Sequence, residues 1–288
     1  MGGQAIEPPQ PNEHFRWVQD PAGPSLVCGP LLAVARHLFT TRPWALGDRA
    51  PNGVADAAWA DVARALEVPV GRLARVRQVH GAGVVVARVP PADPPTADVI
   101  VALDGTLAIA VQAADCVPLL VADRRTGAVA AAHAGWRGLA AGVPLAAVAA
   151  LAREFGSRPA DLVVAIGPSI GACCYQVGQE VRDRFAGAGL GRDLKWTRWF
   201  RDRPAILDGN RPLPGLDAGV SPGRWFFDPW AAARDQLVAA SVPPARIFGA
   251  DLCTASHPGL LCSYRRDGAP AGRMAAAIRG GPPCPSRP

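Results

Sequence analysis

The chain has 288 residues, 49% of them apolar and 19% charged, which supports a sizeable core and excludes disorder beyond the termini. The net charge of +6 is carried by arginine, with Lys195 the one lysine. The arginines are scattered, with no basic run and no interleaved aromatics, which predicts no nucleic-acid partner. No apolar run reaches the ~18 residues of a membrane helix, and the start MGGQAIEPPQPNEHF lacks the basic and apolar regions of a signal peptide, so a cytoplasmic protein with no membrane contact is expected.

In chain order, residues 1–24 are rich in proline, glycine and polar groups and read as a loose tail. ADAAWADVARALEV (55–68) carries apolar residues at helical spacing. Strands follow over 83–89 (GVVVARV), 106–114 (TLAIAVQAA), 117–123 (VPLLVAD) and 128–134 (AVAAAHA). LAAGVPLAAVAALAREFG (139–156) is a second helix, ending at a glycine suited to its C-terminus. LVVAIGP (162–168) is another strand, and 189–225 breaks the pattern as a long surface excursion. DPWAAARDQLVAASV (228–242) is a third helix, with Asp228 as N-cap and Pro229 in its first turn. Residues 280–288 form a second loose tail, which leaves 25–279 as one domain mixing α and β.

Seven cysteines at irregular spacing argue for free thiols or metal ligands over a disulfide framework. The chemistry concentrates in the hairpin. Arg124-Arg125-Thr126-Gly127 joins two strands, and a two-residue loop places Cys116 opposite His133. A four-residue loop shifts the register by two and leaves them diagonal neighbours. A thiol and an imidazole at that spacing can share a metal, with His80 in RQVHGAG as third ligand and a fourth position open. They also suit a metal-free nucleophilic pair, in which His133 lowers the Cys116 thiol, or two structural side chains. Asp115 precedes Cys116 and faces the opposite side unless the strand bulges. Cys173 and Cys174, as neighbours in extended chain, diverge too far to ligate together.

LFTTR (38–42), RQVHGAGV (77–84), AADC (113–116), AAHAGWRG (131–138), IGPSIGACCYQVGQEV (166–181) and SYRRDGAPAGR (263–273) occur in the order seen in the bacterial laccase-domain, or polyphenol oxidase-like, family, which this chain resembles. The resemblance implies an α+β fold, a single domain of packed mixed β-sheets flanked by helices. It further implies a zinc ion on His80, Cys116 and His133, and phosphorolysis of adenosine, inosine or methylthioadenosine with adenosine deamination beside it. Partners would then be purine nucleosides and phosphate, and the chain a monomer or small homo-oligomer.

Phosphorolysis needs an anion held near the ribose, and arginine forks do this. Arg42, Arg137, Arg265 and Arg266 all lie in the shared motifs, Cys116 and Asp115 are the candidate catalytic pair, and Gln78 and Trp136 are candidates to hold the base. The stretch after Arg42 and the residues before SYRR depart from the family pattern, which bears on substrate preference. Competing readings are a Cys–His hydrolase, an editing factor for peptidoglycan precursors, and a copper-dependent phenol oxidase. Five histidines are too few for a multicopper centre.

Overall fold

The computed structural model describes residues 8–47, 54–90, 93–190, 194–216 and 221–281. Within them, period-two strands with both faces apolar dictate a layered fold. In Val99–Ala102, Val99 and Val101 face one core while Ile100 and Ala102 face another. In Ala108–Ala113, Ile109 and Val111 join Ile100 while Ala108 and Ala110 turn the other way. Such strands must be covered on both sides, and the result is two stacked sheets with helices outside each.

The first six-stranded sheet runs in the order Phe15–Asp20, Gly23–Cys28, Arg36–Phe39, Met274–Arg279, Ala108–Ala113, Leu73–Arg75. The second, also six-stranded, runs Ile247–Gly249, Leu162–Ile166, Val117–Asp123, Val129–Ala134, Val99–Ala102, Val84–Val86. Both mix parallel and antiparallel pairs. Their facing sides form one core, with Phe39, Ile109 and Ile278 against Ile100, Leu120 and Val163. The helix Val54–Ala65 covers the outer face of the first sheet, where Trp59 and Val62 meet Ala110 and Ala277. The helices Val143–Phe155 and Pro229–Ala239 cover the second. The expected α+β single domain of mixed sheets and flanking helices is what forms.

Three expectations are corrected. The tail expected over 1–24 does not extend through residues 15–24, because Phe15–Asp20 pairs with Gly23–Cys28 as a hairpin that edges the first sheet. Residues 1–7 and 282–288 lie outside the described residues. The helix expected over 139–156 is two, Trp136–Ala140 and Val143–Phe155, separated at Gly142, whose φ of 78° no continuous helix tolerates; the latter ends as expected at Gly156 (φ 62°). The excursion over 189–225 is not only surface. Trp199 is fully buried beside Phe185, and Phe200–Arg201 and Gln176–Gly178 flank Arg224–Phe227 in a three-stranded sheet. Asp228 caps the following helix as expected, accepting from the Ala231 N–H at 3.0 Å.

At Gly167, just past Leu162–Ile166, an added Cβ would lie 2.3 Å from Phe39 Cε1 of the facing sheet and 2.9 Å from Pro118 Cγ. Phe39 is buried and has nowhere to turn. Gly167→Ala should therefore destabilise the fold by about 2 kcal/mol through overpacking, read as a lower urea midpoint with unchanged slope.

Candidate metal centre

The hairpin closes with the longer loop. Asp123 N–H donates to Ala128 O and Gly127 N–H to Asp123 O, while the Asp123 carboxylate accepts from Arg125 and Thr126. The register pairs Pro118 with His133 and Val117 with Ala134, so Cys116 lies diagonal to His133 at the open end. Two further features bring the ligands together. Asp115 adopts φ 93° and His80 φ 60°, both in the left-handed region, so the chain bends sharply at each. Nδ1/Nε2 of His80 and His133 and Sγ of Cys116 offer ligand atoms all within 4.8 Å of one another, a span that one ion with bonds of about 2.0–2.3 Å can bridge.

The sequence reading missed the residue that sets this geometry. Asp98 is fully buried, and its carboxylate accepts from the backbone N–H groups of Val79 (3.2 Å), His80 (3.0 Å) and Gly81 (2.7 Å) and from His133 Nδ1 (2.9 Å). With Nδ1–H held by the carboxylate, His133 turns Nε2 toward Cys116, the arrangement common behind a metal-bound histidine. The available signal was an aspartate at the head of the wholly apolar strand Val99–Ala102.

The three groups grade from buried His133 through half-buried Cys116 to exposed His80, so the cluster opens on one side. Burial pushes the Cys116 thiol up, but His133 and His80 more than reverse this and bring it to about 6. Burial pushes His133 down, and the thiolate and Asp98 outweigh that and raise it to about 9. In the metal-free protein this is a thiolate–imidazolium pair. One soft and two borderline donors suit zinc, so the residues fit the expected ion.

The cluster opens into a cavity of about 1110 Å³ between the ends of the two sheets. Arg137 and Arg265 reach its wall, Arg137 over the Trp136 ring (4.2 Å) and Arg265 over the Tyr175 ring (5.1 Å). Arg75, missed in the sequence, lies there over Trp59 (4.6 Å), and Arg273 joins them. Arg42 and Arg266 do not line the cavity: Arg42 pairs with Asp267, and Arg266 donates to Thr254 O (2.8 Å), Leu261 O (2.9 Å) and Asp267. Gln78 lines it, but its amide is engaged with the Gln112 backbone, donating to O and accepting from N–H at 2.7 Å each. Asp115 is held by the Thr254 hydroxyl (2.5 Å) and the Arg265 N–H (2.6 Å), and burial raises its carboxyl above the usual range.

A family model described as multi-copper polyphenol oxidoreductase laccase matches residues 45–280. The chain belongs to this family. It is 35% identical over 268 residues to a purine nucleoside phosphorylase of Deinococcus radiodurans, covering 89% of this chain and 93% of that one. It is also 35% identical to purine nucleoside phosphorylase YfiH of Escherichia coli, over 70% of this chain and 72% of that one. It spans only 60% of the length of a Bacteroides thetaiotaomicron purine nucleoside phosphorylase and 53% of purine nucleoside phosphorylase YlmD of Geobacillus stearothermophilus. The crystal structure of the latter superposes with a TM-score of 0.78 at 29% identity, covering 92% of this chain and 98% of that one. That of YfiH from Bacillus licheniformis gives 0.76 at 25%, covering 93% and 100%. The family description names copper, yet the other three histidines lie elsewhere: His37 accepts from the Cys28 N–H, His14 packs on Phe248, and His257 meets Asn210.

An added Cβ at Gly135 would lie 2.8 Å from Cys116 Sγ and 3.0 Å from His80 Cδ2. Gly135→Ala, like Asp98→Asn, should weaken metal binding by about 10–100-fold in chelator competition. Binding must also displace the His133 proton, so affinity should rise about tenfold per pH unit from about 7 up to the His133 value of about 9 and then level off.

Proposed function

We propose that the chain is a zinc-dependent purine nucleoside phosphorylase acting on adenosine, inosine or methylthioadenosine, with adenosine deamination as a lesser activity, in the cytoplasm. The observation that carries this reading is the three-ligand cluster opening into a cavity that also presents arginines and aromatic rings. Relatives named purine nucleoside phosphorylase support it. Among the described residues, no helix is long and apolar enough to cross a membrane.

Bound at His80, Cys116 and His133, zinc supplies a Lewis acid that stabilises negative charge on an oxygen or nitrogen of the reactants. The chain supplies the rest. Arg137 and Arg265, with Arg273 nearby, present guanidinium groups that hold phosphate as a dianion and aim an oxygen at the ribose C1′. The new C1′–O bond forms as the C1′–N9 bond breaks, and the base leaves carrying the proton that the hydrogen phosphate dianion gives up. Trp136 and Tyr175 offer ring faces to the purine; burial keeps the Tyr175 hydroxyl protonated, so it can donate to a base nitrogen. Asp115 acts by holding Cys116 and the Arg265 backbone in register.

One further geometry favours a second reading. Cys116, His133 and Asp98 line up as thiolate, imidazolium and orienting carboxylate, the order of a cysteine hydrolase acting without metal.

The test uses zinc-loaded protein with adenosine or inosine, with and without phosphate, beside Cys116→Ala and a chelated sample. Base release that needs phosphate and falls at least about a hundredfold in both comparisons supports the proposal. Amide hydrolysis that survives chelation but not alkylation of Cys116 transfers the site to the hydrolase reading.

A further inference from the structure

Outside the cavity, a second group of donors converges. Cys173, Cys174 and Cys253 are all buried, and their Sγ atoms lie within 4.8 Å of one another. The adjacent pair converges because its segment coils: the N–H groups of Cys174 and Tyr175 both donate to Gly171 O at 3.0 Å, so the divergence expected for extended chain does not arise. Cys253 arrives from about eighty residues away on a segment pinned alongside, where Ser169 N–H donates to Leu252 O and Thr254 N–H to Ser169 O. Asn210 secures it from the other side, accepting from the Cys253 N–H and donating to Asp251 O, each at 2.7 Å.

The surroundings suit thiolates bound to a cation. Gly171 N–H donates to Cys253 Sγ at 3.3 Å. Ile170, Ala255, Leu213 and Trp230 pack an apolar shell around the sulfurs. Ser256 Oγ stands 3.8 and 3.7 Å from the Cys173 and Cys174 sulfurs and is half-exposed, so the open direction ends on an oxygen. Three thiolates and a divalent ion leave one negative charge. The remaining charge is met by N–H donation to sulfur, as from Gly171 to Cys253, while Arg266 pins the adjoining Thr254 and Ala255 carbonyls.

We propose that Cys173, Cys174 and Cys253 form a second metal site that takes one thiophilic d10 cation of the zinc class, with Ser256 or a water completing the tetrahedron. Sulfurs around a tetrahedral zinc lie about 3.8 Å apart, within the observed span. Three soft donors make this the more thiophilic of the two centres, since the cavity cluster offers one sulfur. Its role is structural: it clasps residues 171–175 to 253–256, and Thr254 in that clasp holds Asp115 through its hydroxyl.

The experiment measures metal content of the full chain purified after zinc supplementation, in the wild type, Cys116→Ala, Cys173→Ser, Cys253→Ser and Cys116→Ala/Cys253→Ser. The expected result is about two equivalents in the wild type, about one in each single variant and close to none in the double variant. Should the cluster variants fail to fold, cobalt-loaded Cys116→Ala decides, because its cluster is intact. An intense sulfur-to-cobalt charge-transfer band of a multi-thiolate tetrahedral site supports the proposal. Absence of both metal and band from folded Cys116→Ala overturns it, as does a mass showing two of the three cysteines of the wild type joined as cystine.

Discussion

A single buried carboxylate organises the candidate site. Asp98 sits where the wholly apolar strand Val99–Ala102 begins, and an isolated charge there would cost several kcal/mol. It is satisfied by four donors: three consecutive N–H groups from Val79 to Gly81, and the His133 ring. The constraint works in both directions. The carboxylate is tolerable only while the 79–81 segment curls around it, and that curl forces His80 into its positive φ. The same bonds leave the His133 nitrogen opposite Asp98 for a ligand. The three candidate ligands are thus positioned by the protein's own hydrogen bonds.

The layered fold explains why the chemistry sits at one end. Along Val117–Asp123 and Val129–Ala134 nearly every side chain is apolar and buried, because one face meets the other sheet and the opposite face meets the helices. Reactive groups have no place in such a strand except where it stops. Asp115 and Cys116 fall just before one strand, and His133 near the end of its neighbour, away from the hairpin turn. The first sheet brings Ala110 to Ala113 to the same end, and the space between is the cavity. Where the two sheets meet near this end, Gly167 leaves the room that the Phe39 ring occupies.

What was legible in the sequence follows from range. The hairpin, its two strands and the Asp228 cap rest on contacts a few residues apart, and periodicity and turn chemistry disclose those. Even the register was within reach, since both loop lengths kept Cys116 beside His133 and only the backbone bonds of Asp123 chose between them. Asp98 stood at the head of an apolar strand, but its partners lie about twenty and thirty-five residues away, so the sequence did not disclose what it holds. The Phe15–Cys28 hairpin was hidden by the prolines and glycines around it. The thiol cluster was hidden by assuming extended chain at Cys173, where the Gly171 carbonyl instead draws in two N–H groups.

The paired arginines in SYRR show how far motif membership falls short of assigning a role. Arg266 spends its fork on the Thr254, Ala255 and Leu261 carbonyls and on Asp267, binding the 254–261 loop to the short helix Tyr264–Asp267. That loop carries Thr254, whose hydroxyl fixes one oxygen of Asp115. The other oxygen accepts the Arg265 N–H. Arg266 therefore holds the frame in which Arg265 is presented to the cavity, through a chain of contacts that passes beside Cys116. A lysine at 266 would keep the charge but could not span carbonyls and carboxylate with one planar fork. Adjacent residues of identical chemistry thus divide the work, one holding the wall and the other facing the cavity.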